Sequence, residues 1–120
     1  MGKILVLDDD EDLLSTLADV LQNVYARDCV SVHSVEELKR SAPAIQGCDM
    51  AILDVNLGAN QPSGLDAFHW LERQHFPGRV VFVTGHAESH PLVAEAQRLS
   101  GSHILRKPFV IEELGRVLSP

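Results

Sequence analysis

The 120-residue chain has the length of a single domain. Hydrophobic residues make up 45% of it and charged residues 22%, which is the composition of a folded globular protein and excludes a disordered one. Seventeen acidic residues against ten basic ones give a formal net charge of −7, and this excess of acid argues against nucleic acid as a direct partner.

The sequence contains no membrane-spanning pattern and no unusual cysteine pattern. No apolar run approaches the roughly 20 residues needed to cross a bilayer, and the N-terminus does not have the form of a signal peptide. We therefore expect a cytoplasmic protein that does not contact the membrane. Cys29 and Cys48 have neither metal-ligand nor redox-pair spacing, so both are predicted to be buried, reduced thiols.

Strand-like and helix-like segments alternate along the first third of the chain. A continuous apolar run at 3–7 predicts a strand that is buried on both faces. Helical spacing of apolar residues predicts a helix over 10–25, and a β-branched stretch at 29–32 predicts a second strand. A capping-box pattern at 34–37 predicts a short helix that ends near Arg40. The apolar stripe of the long helix consists of Leu14, Leu17, Ala18, Leu21 and Val24.

The same alternation continues to the end of the chain with three more strands and three more helices. The strands are short apolar runs, predicted at 50–53, 80–83 and 103–105. The helices are indicated by apolar stripes at helical spacing. These stripes are formed by Leu65, Phe68 and Leu71, by Leu92, Ala96 and Leu99, and by Ile111, Leu114 and Leu118. Five strands alternating with five flanking helices indicate an α/β fold with a doubly wound parallel sheet.

Polar residues follow four of the five predicted strands. They are Asp8 and Asp9 after the first strand, Asp54 after the third, Thr84 after the fourth and Lys107 after the fifth. In doubly wound sheets, ligands bind beyond the carboxyl ends of the strands. We therefore expect the three carboxylates and the lysine amine to share one pocket at this edge.

The expected pocket has the charges needed to bind Mg²⁺ and a phosphoryl group. Three carboxylates on one edge repel each other, and a divalent cation with oxygen ligands relieves that repulsion. The charges of three acids, one divalent cation and Lys107 sum to zero. Lys107 and Thr84 would then bind phosphoryl oxygens, and Asp54 is the candidate nucleophile, because aspartate can accept phosphate as an acyl phosphate.

Four separated motifs resemble those of the receiver domain of two-component response regulators. They are Ile-Leu-Val-Leu-Asp-Asp-Asp at 4–10, Ile-Leu-Asp-Val-Asn-Leu at 52–57, Val-Thr-Gly-His-Ala at 83–87 and Lys-Pro-Phe at 107–109. The resemblance covers essentially the whole chain, residues 1–120. It implies a flavodoxin-like fold with the strand order 2-1-3-4-5.

The resemblance also implies a role for each acid of the pocket. Asp54 would accept a phosphoryl group from a histidine kinase or a histidine phosphotransfer protein. The modified domain would then change its binding to an output domain or a partner protein. Mg²⁺ (or Mn²⁺) would be held by Asp9, Asp54 and the backbone carbonyl of Asn56, with Asp8 reaching the ion through water.

Further roles follow from the same resemblance. Thr84 and Lys107 would hold the phosphoryl oxygens. The side chains of Asn56 and His86 would tune how long the phosphoryl group persists. The peptide bond between Lys107 and Pro108 is expected to be cis.

The sequence departs from the family pattern at three places. The loop at 58–63 is about two residues longer than usual, with Gly58 in place of a proline, and the turn at 101–103 is about one residue shorter. Ile104 occupies the switch position, where the family commonly has Tyr or Phe. Isoleucine is smaller than these aromatics and stiff about χ1, so we expect the signal to involve the long loop beside Asp54.

Other functions fit parts of the pattern less well. A receiver-like interaction module that is never phosphorylated has no need of buried like charges. Phosphatases with an aspartate nucleophile generally have a second acid where this chain has Asn56, and a flavin phosphate would be repelled by the acids at 8–12. A zinc site at His86 and His90 lacks a third ligand. We therefore expect a signalling domain and not an enzyme.

Trp70 is the one tryptophan of the chain. At 100° per residue it lies almost opposite the stripe of Leu65, Phe68 and Leu71, so it is expected to be exposed. A single exposed aromatic needs no functional explanation. It would also suit a partner contact, because tryptophan is enriched at binding hot spots.

Overall fold

Five parallel strands form one sheet in the order β2-β1-β3-β4-β5, which confirms the predicted order. The computed structural model describes residues 2–55, 57, 61–85, 91–100, 104–107 and 111–118. The strands are β1 (Lys3–Leu7), β2 (Cys29–Val32), β3 (Cys48–Asp54), β4 (Arg79–Thr84) and β5 (Ile104–Arg106). The last strand was expected at 103–105, and His103 lies outside the described residues.

Six helices flank the sheet in the described part of the chain, one more than predicted. They are α1 (Glu11–Tyr25), α2 (Val35–Arg40), α3 (Ala42–Ile45), α4 (Gly64–Arg73), α5 (Pro91–Ser100) and α6 (Ile111–Leu118). The additional helix, α3, has four residues, which is too short for a periodic apolar pattern to reveal it. None of the described helices is long and apolar enough to cross a membrane.

Alternate residues of the central strands join two different hydrophobic cores on the two faces of the sheet. Leu5 and Leu7 of β1 belong to the core covered by α2, α3, α4 and α5. Ile4 and Val6 belong to the core covered by α1 and α6. Because both faces are covered, consecutive positions in the middle of these strands are apolar, which explains their continuous apolar runs.

The start of α2 differs in one detail from a capping box. The Ser34 hydroxyl accepts a hydrogen bond from the Glu37 amide at 3.1 Å, as expected of an N-cap. The Glu37 carboxylate, however, accepts from the amide of His33 at 2.8 Å and not from that of Ser34. The hydrogen bond from the His33 side chain lowers the pKa of Glu37.

Two apolar side chains differ in exposure from what the apolar stripes of their helices predicted. Val24 is 56% exposed, because Tyr25 lies closer to the centre of the α1 stripe and packs against the core in its place. Trp70 is half-buried and packs against the other core, so the expectation of an exposed indole was wrong. Residues Ala42 and Ile45 of α3 line a surface cleft together with Trp70.

The two cysteines are free thiols, as the sequence predicted. Cys48 is buried, whereas Cys29 is only half-buried, and β1 lies between their two strands. Burial raises the pKa of the Cys48 thiol, which lies 3.7 Å from the carbonyl oxygen of Ala44. The Cys48 thiolate, the reactive form, is therefore scarce at neutral pH.

Iodoacetamide at neutral pH is expected to modify Cys29 at least about tenfold faster than Cys48. The cause is the combination of burial and a raised pKa at Cys48. Peptide mass mapping over time measures both rates, and the same reaction in denaturant is the control, where the rates should converge. Faster modification of Cys48 in the folded protein would contradict the expectation.

Candidate functional site

Three carboxylates meet at the carboxyl edge of the sheet. Asp8 follows β1 directly, Asp54 is the last residue of β3, and Asp9 lies next to Asp8. Each offers one oxygen, and these three oxygens all lie within 4.8 Å of one another. Asp8 and Asp54 are only 3% and 4% exposed, whereas Asp9 is exposed. The structure thus brings together the acids that the strand ends predicted.

The side-chain amine of Lys107 lies among these carboxylates and supplies a positive charge. Its Nζ donates hydrogen bonds to Asp8 Oδ2 at 2.9 Å and to Asp54 Oδ2 at 3.2 Å. Its backbone amide donates to the carbonyl oxygen of Thr84 at 2.8 Å, which holds the lysine at the end of β4. Burial alone would lower the pKa of Lys107, but the contacts with Asp8 and Asp54 outweigh burial and raise it. The amine is therefore protonated at neutral pH.

Thr84 completes the set of predicted residues at this edge. It is the last residue of β4 and only 1% exposed. The neighbouring residue Val83 pairs in register with Asp54, and the carbonyl oxygen of Val83 accepts from the Val55 amide at 2.9 Å. Thr84 therefore lies on the strand next to the one that carries the buried acid.

Asp8 is fixed by a backbone contact that sequence reasoning missed. The amide of Asp10 donates to Asp8 Oδ1 at 2.9 Å, while the other Asp8 oxygen accepts from Lys107. Asp10 is also the N-cap of α1, and its side chain accepts from the amides of Asp12 and Leu13. Nothing in the local sequence pattern indicated that this turn also orients Asp8.

Gly64 is the second element of the site that the sequence did not reveal. Its amide donates to the Val55 carbonyl at 3.1 Å, so the first turn of α4 is held against the end of β3. A Cβ atom built on Gly64 would lie 2.2 Å from the carbonyl oxygen of Asp54. The close approach of α4 to the backbone of Asp54 therefore requires a residue without a side chain.

Several predicted features lie outside the described residues. Asn56, His86 and Pro108 are among them, so the carbonyl ligand, the pair that tunes dephosphorylation and the cis peptide bond remain predictions. The loop at 58–63 is described only from Gln61 onward. Ile104, the predicted switch position, is half-buried and pairs in register with Phe82.

The donor set of the cluster fits Mg²⁺. All three side chains offer carboxylate oxygens, the ligands that this hard cation prefers. Among the described residues no histidine or cysteine joins the cluster, so it lacks the nitrogen and sulfur ligands typical of zinc. Three carboxylates and the Lys107 amine leave two negative charges, which one divalent cation balances.

The parallel five-stranded sheet and the acid, hydroxyl and lysine at its edge together define a class of protein. The profile of the response regulator receiver domain family matches residues 4–119. The chain therefore belongs to the response regulator receiver domain family, whose members are signalling domains of two-component systems. This confirms the resemblance seen in the four sequence motifs.

Individual relatives agree with this assignment. The chain is 28% identical to the transcriptional regulatory protein SpaR of Bacillus subtilis over 117 residues, which are 95% of this chain and 49% of SpaR. It thus spans about half the length of that relative. The BeF3-activated receiver domain of DrrB is 25% identical with a TM-score of 0.76, and the match covers 98% of this chain and 95% of that one. A CheY-like receiver domain from Methanospirillum hungatei JF-1 shares the fold, with a TM-score of 0.81 at 18% identity over 98% and 90% of the two chains.

Proposed function

We propose that the chain is a phospho-accepting signalling domain in which Asp54 receives the phosphoryl group. The observation that carries the proposal is the contact of a buried Asp54 with Lys107, with Asp8 and Asp9 close by. A histidine kinase or a histidine phosphotransfer protein would supply the group. The cytoplasm is the proposed location, and an output domain or a partner protein would respond to the modified domain.

The transfer forms one bond and breaks one. A carboxylate oxygen of Asp54 attacks phosphorus, and the bond from phosphorus to the donor's histidine nitrogen breaks as that nitrogen leaves. Negative charge on the phosphoryl oxygens is balanced by the Lys107 ammonium and by a hydrogen bond from the Thr84 hydroxyl. Asp54 is well placed for this step because it lies at the strand edge and already accepts from Lys107 at 3.2 Å.

Asp9 and Asp54 would hold Mg²⁺ (or Mn²⁺) directly and Asp8 through water, with the Asn56 carbonyl as the further ligand proposed from the resemblance. When bound, the ion supplies positive charge that offsets the charge on the transferred oxygens. The chain's own contribution is to keep Asp8 oriented, through the amide of Asp10, and to keep Lys107 protonated.

The alternative of an interaction module without phosphorylation is less well supported. Such a module would bury Asp8 and Asp54 side by side for no purpose, although desolvating carboxylates costs several kcal/mol per ion. The single positive charge of Lys107 offsets only part of the negative charge of the three carboxylates. Retention of all three acids together with the lysine and the hydroxyl favours the phospho-accepting function.

Incubation with Mg²⁺ and acetyl phosphate is expected to add one phosphoryl group to the protein, and Asp54→Asn is expected to abolish the addition. The amide of asparagine cannot form the acyl phosphate. Intact-mass spectrometry measures the addition, and omission of Mg²⁺ should reduce it strongly.

Asp28→Asn is the matched control, because Asp28 is an exposed aspartate at the start of β2, at the opposite edge of the sheet. This variant should accept the group as the parent chain does. If the folded parent chain gains no phosphoryl group, the proposed function is wrong and the interaction module becomes the better explanation.

A further inference from the structure

The turn between β1 and α1 is held by hydrogen bonds on both of its sides. On the strand side, the amide of Asp8 donates to the carbonyl oxygen of Val32 at 3.1 Å. On the helix side, the carbonyl oxygen of Asp10 accepts from the amide of Leu14 at 3.0 Å. Asp9, the exposed acid of the cluster, lies between these two anchored residues. Because consecutive Cα atoms are only about 3.8 Å apart, the position of Asp9 depends on both neighbours.

The side chain of Asp10 fixes the helix side of this turn. The first amides of a helix have no partner within the helix, and Asp10 Oδ1 accepts from two of them, those of Asp12 at 3.0 Å and Leu13 at 3.2 Å. Asp10 is extended, with φ of −90° and ψ of 106°, and in this conformation its own amide donates to Asp8 Oδ1 at 2.9 Å. The cap therefore stabilises the backbone conformation that delivers the amide to Asp8.

Asp8 depends on this amide because its carboxylate is buried. The residue is only 3% exposed, so bulk water cannot replace a lost donor. Its two oxygens accept from different parts of the chain, Oδ1 from the Asp10 amide and Oδ2 from Lys107 Nζ at 2.9 Å. Loss of the amide would leave a buried oxygen unsatisfied and free the carboxylate to rotate. Removal of the partners that orient groups around a metal typically weakens metal binding about 10–100-fold.

The negative charge of Asp10 does not explain a role in the site as well as its hydrogen bonds do. Among the described residues, the cluster that could hold a metal ion contains Asp8, Asp9 and Asp54 but not Asp10. Asp10 is exposed, so water and salt screen its charge. The cap, in contrast, is a fixed geometry that ends on an atom of Asp8.

We propose that Asp10 is a positioning residue of the acidic site. Its capping side chain holds the turn that orients Asp8 and places Asp9, and in this way it sets both the affinity of the site for Mg²⁺ and the rate of phosphoryl addition to Asp54. This inference rests on the proposed function, because it concerns the same acids. The hydrogen bonds of the cap, and not the charge of Asp10, produce the effect.

Two substitutions of Asp10 separate the cap from the charge. Asp10→Ala removes both and should raise the dissociation constant for Mg²⁺ about tenfold, with a comparable fall in the rate of phosphoryl addition from acetyl phosphate. Asparagine is as good an N-cap as aspartate, so Asp10→Asn should restore the affinity to within about threefold of the parent value. NMR titration of the backbone amides measures the dissociation constant, and intact-mass spectrometry measures the rate.

Ser34→Ala is the matched control, because it removes an N-cap that has no contact with the acids. The Ser34 hydroxyl caps α2 by accepting from the Glu37 amide at 3.1 Å. Both alanine variants should lower the midpoint of urea unfolding by similar amounts, since each loses one cap. Only Asp10→Ala should weaken Mg²⁺ binding. The comparison separates positioning of Asp8 from a general loss of stability.

Hydrogen exchange of the amide of residue 10 tests the same turn without any metal. In the parent chain this amide is bonded to Asp8 Oδ1. After correction for the intrinsic rate of each residue type, the amide should exchange at least about tenfold faster in Asp10→Ala than in the parent, because the turn opens more often. Asp10→Asn should exchange at close to the parent rate.

Three results would overturn the proposal. The first is an Asp10→Ala protein that binds Mg²⁺ as tightly as the parent. The second is an Asp10→Asn protein as weak as Asp10→Ala, because the charge would then be the cause. The third is equal weakening by Ser34→Ala. Failure of the proposed function gives a different pattern: the parent chain gains no phosphoryl group, while the Mg²⁺ affinities and exchange rates still follow the cap.

Discussion

Replacing Lys107 with methionine is expected to lower the free energy of unfolding by about 3 kcal/mol at neutral pH, because it leaves two buried carboxylates without their cation. The Nζ atom lies within 3.2 Å of both Asp8 and Asp54, each of which is almost fully buried. Methionine preserves much of the apolar length of the side chain. The fall in the free energy of unfolding therefore measures mainly the effect of removing the positive charge. Urea unfolding, followed by the fluorescence of Trp70, measures the free energy of unfolding of the variant and the parent.

The loss of stability in the Lys107→Met variant should depend on pH. The pKa of Lys107 is raised in the folded state, so the stabilisation by the parent lysine is fully present at neutral pH and is lost as the pH rises through that raised value. The difference in the free energy of unfolding between variant and parent should therefore shrink as the pH rises through the raised pKa of Lys107.

Two comparisons test the interpretation of the Lys107 variant. Lys39→Met removes an exposed lysine of α2 and should change stability by less than about 0.5 kcal/mol. Addition of Mg²⁺ should stabilise the Lys107 variant more than the parent, because the ion supplies the missing positive charge. A loss of stability that is constant across pH and insensitive to Mg²⁺ would show that Lys107 acts through packing alone.

Gly64→Ala is expected to destabilise the protein by about 2–3 kcal/mol through overpacking, although alanine is the better helix former. The new Cβ would lie 2.2 Å from the Asp54 carbonyl oxygen and 3.1 Å from the Cα of Val55. Both neighbours are backbone atoms, so relief requires moving either α4 or the end of β3. The rate of phosphoryl addition from acetyl phosphate should fall as well, because Asp54 moves with its backbone.

Gly47→Ala is the matched control for this substitution. The nearest atom to its added Cβ is the Ala44 carbonyl oxygen at 3.9 Å, an ordinary contact distance. Urea unfolding of both variants separates the effect of a close approach from the general effect of replacing glycine. A Gly64→Ala protein as stable as the parent would show that α4 can shift freely from Asp54.

The sequence correctly predicted the buried strands and the acids that follow them, because both depend on short local patterns. The apolar runs that end at Leu7 and at Leu53 mark strands buried on both faces, and the acids that follow them lie at the sheet edge as expected. The meeting of Asp8 with Lys107 follows from topology alone, since carboxyl ends of parallel strands share one edge. Long apolar runs and the rules of parallel sheets therefore sufficed for the main features of the site.

The features that sequence reasoning missed all depend on contacts between distant segments. Helix α3 has too few residues to show a period, and Trp70 packs against the core to which its residue Ile45 belongs. The need for glycine at Gly64 arises only when α4 approaches the backbone of Asp54. Neither effect leaves a mark in the neighbouring sequence, because propensity and periodicity describe one element at a time.

The members of the acidic site are far apart along the chain, and this has a consequence for protein synthesis. Asp8 and Lys107 are separated by 99 residues, and Asp54 and Lys107 by 53. A growing chain therefore contains all three acids long before the lysine is added, and contacts of such long sequence separation form late. Until β5 leaves the ribosome and joins β4, the acids lack their internal cation. The contacts between these acids and their lysine thus form only when synthesis of the domain is nearly complete.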